Sequence, residues 1–282
     1  MHEKIKREAL WQFGGYSFLL VVTMLMMIPI YWLVVASTLP NDAIFSSAGN
    51  LPRLIPGTAF LENARDLAAR PNIDYYLSIW NSIAIAGIYT VLALLFCSMG
   101  GFAFAKYEFK YKRVLFIAIL ATLIFPINLL VIPMFLLVSK LGLSNTYWAV
   151  ILPWAASPLG MFFMRQSMQS IPDSLLEAAR MDGASEFQLF YRVTLPTMKS
   201  SLAALAVILF LSMWNLFLWP LVVLGEGKYT IPVAIQKITS NQNVAYDQLM
   251  VASAIAIIPM FLVFLALQRH YVKGILAGAV KE

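Results

Sequence analysis

The chain has 282 residues, 61% of them hydrophobic and only 12% charged, with a net charge of +6. Soluble domains run at roughly 45–50% apolar and about 25% charged, so a water-soluble globule of this length could not cover itself with polar groups and is excluded. The basic residues are spread along the chain, whereas a nucleic-acid-binding role needs them gathered on one face.

Taken in order, six windows longer than 18 residues contain no Asp, Glu, Lys, Arg or His: 9–41, 75–105, 114–139, 141–164, 200–225 and 248–268. A helix needs about 20 apolar residues to cross a hydrocarbon core of roughly 30 Å. Only helices and closed barrels satisfy their backbone groups in lipid. Barrel strands alternate apolar and polar residues over about 10 positions, and these windows are continuously apolar. The sequence therefore predicts an all-α integral membrane fold with six transmembrane helices, over 13–35, 79–104, 114–138, 147–164, 201–224 and 249–267. No soluble domain, internal repeat or low-complexity tract is evident, so 1–282 reads as a single membrane domain.

Lys4, Lys6 and Arg7 precede the first window, as in a signal peptide. Its apolar run exceeds the usual 7–15 residues and no small-x-small cleavage site follows, so it is expected to be retained. The loop after it carries Pro40, Pro52, Pro56, Gly57 and Pro71, which read as turns. Cys97 is the one cysteine; a lone thiol provides neither a disulfide framework nor a metal cluster. Pro29, Pro126, Pro133, Pro153, Pro158, Pro220 and Pro259 lie in the spans. Each frees a carbonyl and favours a kink, which either shapes the bundle or opens a water-filled path.

An even number of spans puts both termini on one side. The amino tail, the 105–113 loop, the 165–200 loop and the carboxyl tail together carry fourteen Lys or Arg, and the three opposite loops carry six. The positive-inside rule then places both termini in the cytoplasm.

The 165–200 loop is the most structured stretch outside the spans. It runs Ile171-Pro172-Asp173-Ser174-Leu175-Leu176-Glu177-Ala178-Ala179-Arg180-Met181-Asp182-Gly183. Proline near the start and glycine just past the end match the helix asymmetry. Asp173 or Ser174 is expected to cap the amino end. Ser185 with Gln188 forms a capping-box pattern opening a second helix that ends near Thr194, and Leu195-Pro196 turns the chain toward the fifth span. The first helix presents Glu177 beside two alanines, so another protein could approach closely and meet one carboxylate.

Glu177-Ala178-Ala179, Gly183 six residues after the Glu, then Phe190, Val193, Leu195 and Pro196 resemble the "EAA" loop of importer-type ABC permeases. Val193 departs from the usual isoleucine. Trp214-Asn215 with Leu218-Trp219-Pro220, and the tail Val272-Lys273-Gly274, Ala277-Gly278 and Val280-Lys281, are similar to the carbohydrate-uptake branch, whose nearest types are the maltose-type and glycerol-phosphate-type second permease subunits. Leu54-Ile55-Pro56-Gly57-Thr58 with Leu61-Glu62-Asn63 leans toward the latter. The resemblance implies a type I importer permease fold in a bacterial or archaeal cytoplasmic (inner) membrane. It implies four kinds of partner: a homologous second permease subunit, a dimer of ATPase subunits, an extracytoplasmic solute-binding protein and membrane lipid. It implies that Glu177, Ala178, Ala179, Asp182, Gly183, Leu195 and Pro196 form the coupling element that docks on the ATPase. ATP and Mg would be held by that ATPase; this chain would hold no cofactor, catalyse nothing, and turn motion at the loop into alternating access for a sugar or sugar-like solute. A glycerol-3-phosphate or glycerophosphodiester importer is the alternative within the class.

Other motifs carry less. Gly225-Glu226-Gly227-Lys228 lacks the Gly five residues before the Gly-Lys pair and the Ser or Thr after it, where Val222 and Tyr229 stand, so it is no phosphate loop. The spans contain no Asp, Glu, Lys, Arg or His, which argues against an ion-coupled secondary transporter and against an intramembrane enzyme; a secondary transporter or channel is the alternative from another class. His2 and His270 lie near the tails and read as interfacial groups. Asn128, Ser212, Asn215 and Ser253 are the polar groups available to a substrate path, and Trp214 and Trp219 could stack on sugar faces; interhelical hydrogen bonding accounts for such residues equally well.

Overall fold

A computed structural model describes residues 2–45, 52–240 and 244–279, with side-chain surroundings for 12–45, 52–126, 128–240 and 244–269. Lys4, Lys6, Arg7, His2, His270 and the tail residues Val272-Lys273-Gly274, Ala277-Gly278 and Val280-Lys281 lie outside the described side chains. Fifteen helices follow in order: α1 (His2–Ser37), α2 (Asn41–Ile44), α3 (Phe60–Ala68), α4 (Tyr75–Lys106), α5 (Lys112–Ala121), α6 (Ile127–Lys140), α7 (Tyr147–Ile151), α8 (Pro158–Met168), α9 (Asp173–Met181), α10 (Glu186–Gln188), α11 (Leu195–Thr197), α12 (Lys199–Trp214), α13 (Leu218–Val223), α14 (Ile231–Thr239) and α15 (Tyr246–Ala279). Tighter 3-10 turns at Thr122–Ile124 and Leu152–Trp154 extend α5 and α7, and a wider π turn, Leu189–Thr194, joins α10 to α11. No strand occurs among the described residues.

Three helical stretches, Gln12–Ser37, Tyr75–Lys106 and Tyr246–Arg269, are long and apolar enough to cross a membrane, and counting each bent helix pair as one span gives six. Phe18, Leu25 and Met26 on α1, and Ile258, Phe261 and Leu262 on α15, leave large apolar side chains exposed. Water does not tolerate such continuous apolar faces, whereas lipid does. The chain is an all-helical integral membrane protein.

The first, second and sixth expected spans lie within single helices. The other three do not. The third breaks at Pro126, with 106° between Lys112–Ile124 and Asn128–Lys140. The fourth bends by 47° between Tyr147–Trp154 and Pro158–Met168. The expected fifth span, 201–224, stops at Trp214 and restarts at Leu218. Two causes coincide there. The Asn215 side-chain amide donates to the Leu211 carbonyl at 2.9 Å, ending the ladder. A helix continued through this stretch would also drive the Pro220 ring into the carbonyl of Leu216. Pro29, Pro133 and Pro259, by contrast, lie inside unbroken helices.

The chain divides into two compact units, Met1–Pro71 with Ile235–Ala256, and Asn72–Ala234 with Ile257–Glu282. In the first, Val35, Ala36, Leu39 and Ile44 form a buried core against Trp32, Ala43 and Met250. The buried Asn63 amide donates to the carbonyls of Ser37 (3.1 Å) and Leu39 (2.9 Å), tying α3 to the end of α1. Arg70 donates to Gln248 Oε1 at 2.6 Å and to the Ile238 carbonyl at 3.2 Å.

In the second unit α4 is the central element, packed against both α8 and α12. Its crossing with α8 depends on small residues. A Cβ on Gly101 would stand 2.6 Å from Met164 Cβ and 2.9 Å from the Arg165 amide nitrogen, and one on Gly160 would stand 2.7 Å from Cys97 Sγ. Cys97 is buried at this crossing, its thiol directed at the Ser157 carbonyl at 3.4 Å. Ser157 in turn caps α8 by accepting from the Gly160 amide at 3.2 Å, with Pro158 at the first helical position.

Candidate coupling site

The 165–200 loop folds as two short helical pieces with a sharp joint. Pro172 stands at the N-cap, just before α9, and neither Asp173 nor Ser174 caps the helix: no side chain accepts from the free amides there. Asp173, one residue inside the helix, is engaged elsewhere, as described below. At the other end Gly183 adopts φ +84°, a left-handed conformation that strains any side chain with a Cβ. Its amide donates to the Arg180 carbonyl at 3.0 Å and the Ala184 amide donates to the Ala179 carbonyl at 3.0 Å, the pair of bonds that defines a Schellman cap. The capping box that opens α10 forms as expected. Ser185 Oγ accepts from the Gln188 amide at 3.3 Å, and Gln188 Oε1 accepts from the Ser185 amide at 2.8 Å. Helical structure then continues through the π turn to Thr197, and the axis swings by 82° into Lys199–Trp214.

Leu176, Leu189 and Phe190 turn inward, and Phe190 packs on Phe102 of α4 with ring centroids 5.5 Å apart. The outer face carries Glu177, Ala178, Asp182 and Gly183, all exposed, with Ala179 half-buried. Glu177 has no hydrogen-bond or ion-pair partner for its carboxylate among the described residues. Met181 is 88% exposed, Phe187 72% and Tyr191 62%, and the last two rings stack at 6.4 Å and 9°. The exposed Met and aromatic side chains have the composition of a protein-docking surface, and the small residues beside Glu177 let a partner approach its carboxylate. Leu195 is half-buried and Pro196 exposed, both next to the bend.

Four residues that sequence reasoning did not single out hold this loop in place. The Lys106 ammonium at the end of α4 donates to the Ile171 carbonyl at 2.6 Å and to Asp173 Oδ1 at 2.7 Å. The Lys106 side chain is only 5% exposed, whereas that of Asp173 is 77% exposed. The hydrogen bond and charge of Lys106 hold the Asp173 carboxyl below its ordinary range. Arg180 donates from Nε to Glu186 Oε1 at 2.9 Å and from a terminal nitrogen to Glu186 Oε2 at 3.2 Å, a two-pronged pair that bridges the Gly183 joint. The Tyr107 hydroxyl donates to the same Glu186. Arg180 first, then Tyr107, keep the Glu186 carboxyl low. The Tyr107 phenol is pushed up to about 12, first by burial and then by its Glu186 partner. The Lys106 and Tyr107 contacts reach 67 and 79 positions along the chain, whereas Arg180 and Glu186 are six apart across the Gly183 joint; neither periodicity nor motif announces any of them.

The residues considered for a substrate path do not converge on one surface. Trp214 is buried, its ring stacked on Phe210 at 5.5 Å. Trp219 is buried, with its indole N–H donating to the Ala149 carbonyl at 2.9 Å. Neither indole offers a free face, so both serve as packing groups here. Asn215 and Asn128 are exposed, each beside a helix break.

The same architecture appears in known proteins. Residues 98–276 match the family model described as "Binding-protein-dependent transport system inner membrane component". The chain is 36% identical over 268 residues to the arabinooligosaccharides transport system permease protein AraQ of Halalkalibacterium halodurans, covering 95% of this chain and 94% of that protein. It is 31% identical over 268 residues to the sn-glycerol-3-phosphate transport system permease protein UgpE of Salmonella typhi, covering 93% and 94%. A solved bacterial ABC transporter involved in alginate import contains a chain that superimposes with a TM-score of 0.79 at 24% identity, covering 93% of this chain and 97% of that one. The matched region holds the last turns of α4, α9 with its Gly183 joint and the helices around them, and the chain belongs to the family of binding-protein-dependent transport system inner membrane components, as a permease subunit of an ABC importer.

Proposed function

We propose that this permease imports a sugar or sugar-like solute and is driven through the Glu177–Gly183 helix by a separate ATPase subunit that binds ATP and Mg. The second permease subunit, the paired ATPases and an extracytoplasmic binding protein complete the assembly, with both termini of this chain in the cytoplasm. The observation that carries this is the outer face of α9: Glu177 exposed and without a partner among the described residues, the small Ala178 and Ala179 following it, and Met181, Phe187 and Tyr191 left exposed on the same loop. Relatives with sugar names support the solute class, and the fourteen-to-six distribution of basic residues supports the orientation. Asn215 and Asn128, exposed at broken helices, are the groups of this chain that would meet a polar solute. Co-purification of an ATPase with the detergent-solubilised chain, compared between the natural sequence and Glu177→Ala, tests the docking role. Uptake of labelled oligosaccharides by the reconstituted assembly tests the solute class.

A further inference from the structure

Helix α4 is fastened at both ends. At residues 106 and 107 it holds the coupling loop, through Lys106 to Ile171 and Asp173 and through Tyr107 to Glu186. Near its other end, the Asn81 amide donates to the carbonyls of Gly227 (3.3 Å) and Tyr229 (3.0 Å), while its carbonyl accepts from the Tyr147 hydroxyl. Ser82 Oγ accepts from the Ile231 amide at 2.8 Å. Asn81 and Ser82 are almost fully buried, so these bonds replace water rather than compete with it. The two sets of clamps are separated by 25 residues of one helix, roughly 37 Å at 1.5 Å per residue.

The path along α4 differs from the obvious route out of the loop. From α11 the chain enters α12 through an 82° swing, preceded by a six-residue π turn. Such joints absorb motion. No proline interrupts α4 from Tyr75 to Lys106, and it is locked laterally by the glycine contacts with α8. An unbroken, packed helix moves largely as one body, and packed contacts and rigid elements of this kind are what carry energetic coupling between distant sites.

Resting on the docking role of Glu177 proposed above, we infer that α4 is the rod that carries displacement of the coupling loop to the 225–231 segment at its far end, with Lys106 and Tyr107 as positioning residues on one side and Asn81 and Ser82 on the other. Lys106 is suited to this because its ammonium is nearly buried and bonded to two groups at the start of α9. Tyr107 engages Glu186 beyond the Gly183 joint, so the two helical pieces of the loop are gripped by consecutive residues, Lys106 at the end of α4 and Tyr107 at its C-cap.

The test uses the complete importer in proteoliposomes with its ATPase and binding protein. Glu226 is exposed, in the far segment. A Glu226→Cys label reports that end, while the native Cys97 is buried and unreactive. With the clamps intact, adding a non-hydrolysable ATP analogue changes the labelling rate at position 226. The double variant Lys106→Met/Tyr107→Phe keeps its ATPase attached, loses that nucleotide dependence, and takes up solute about ten-fold more slowly, within the usual range of coupling strengths. Asn81→Leu gives the same loss from the opposite end, with the ATPase again attached. Nucleotide-dependent labelling and normal uptake in the double variant would overturn the inference. So would detachment of the ATPase, because the clamps would then merely hold the loop's shape, and so would labelling insensitive to nucleotide in the unaltered protein. The docking role fails separately: normal ATPase attachment in Glu177→Ala removes it whatever position 226 reports.

Discussion

Lys106 and Asp173 are 67 positions apart, yet the ammonium of one stands 2.7 Å from the carboxylate of the other, where a transmembrane helix ends and the coupling helix begins. The pair fixes the start of α9 to α4 without using Glu177, so the carboxylate of the EAA segment stays available to a partner.

Membrane orientation is open to labelling. Single cysteines in the 105–113 and 165–200 loops should react with a membrane-impermeant maleimide only from the cytoplasmic side, and cysteines near Gly57 or Gly227 only from the other side. The basic residues predict this order. Reaction of the 165–200 loop from outside would leave the coupling loop facing away from ATP and would refute the topology.

The crossing of α4 and α8 has no room for a side chain at Gly101. The nearest atoms, Met164 Cβ and the Arg165 amide nitrogen, belong to the opposing helix's framework and cannot swing aside. Gly101→Val should cost about 1–3 kcal/mol, read as a lower midpoint of thermal unfolding in detergent. An unchanged midpoint would mean the helices separate freely at this point.

Helix existence was legible in the sequence, but helix continuity was not. Charge-free windows identify which stretches prefer lipid; they do not say whether one helix fills them. Where nothing interrupts, as over Tyr75–Lys106, window and helix coincide. At Pro126 and Pro158 the breakers were visible, but prolines at 29, 133 and 259 sit in unbroken helices, so packing decides which proline bends the chain. The coupling loop was readable because caps, a left-handed glycine and a motif are local. Its clamps were not, because Lys106 with Asp173 and Tyr107 with Glu186 meet only after α4 and the loop have folded together.

The clamps set a pH window. Asp173 and Glu186 are held below the ordinary carboxylate range by Lys106 and by Arg180. A lowered native value stabilises above the unfolded value of about 4 and is lost as pH falls through the native one. Tyr107 works in the opposite sense: raised to about 12, it keeps its proton in the folded loop, and its contribution fades as pH rises from about 10 upward. Hydrogen-exchange protection of residues 171–186 should therefore be flat between about pH 5 and 9 after correction for intrinsic exchange. A transition near neutrality would show that another group governs the loop.

Asn215 and Trp219 should separate under mutation. Asn215→Ala removes an exposed amide and is expected to slow uptake several-fold with assembly intact. Trp219→Ala empties a buried site and orphans the Ala149 carbonyl, at a cost of about 3–5 kcal/mol, so less chain should accumulate in the membrane. Loss of assembly in Asn215→Ala with normal specific uptake would move that residue from the pathway into packing.

Attachment of the ATPase to Glu177→Ala and Gly183→Val, measured together with uptake, bears on the whole mechanism. Removing one partner of a buried, hydrogen-bonded charge pair costs about 2–5 kcal/mol, a weakening of thirty-fold or more. Valine at position 183, where φ is +84°, would distort the cap that ends α9. Both variants should reach the membrane in normal amount, retain little ATPase through purification, and lose solute-stimulated ATP hydrolysis and uptake together. Normal ATPase retention with normal uptake in either variant would contradict the assignment of this loop as the coupling element.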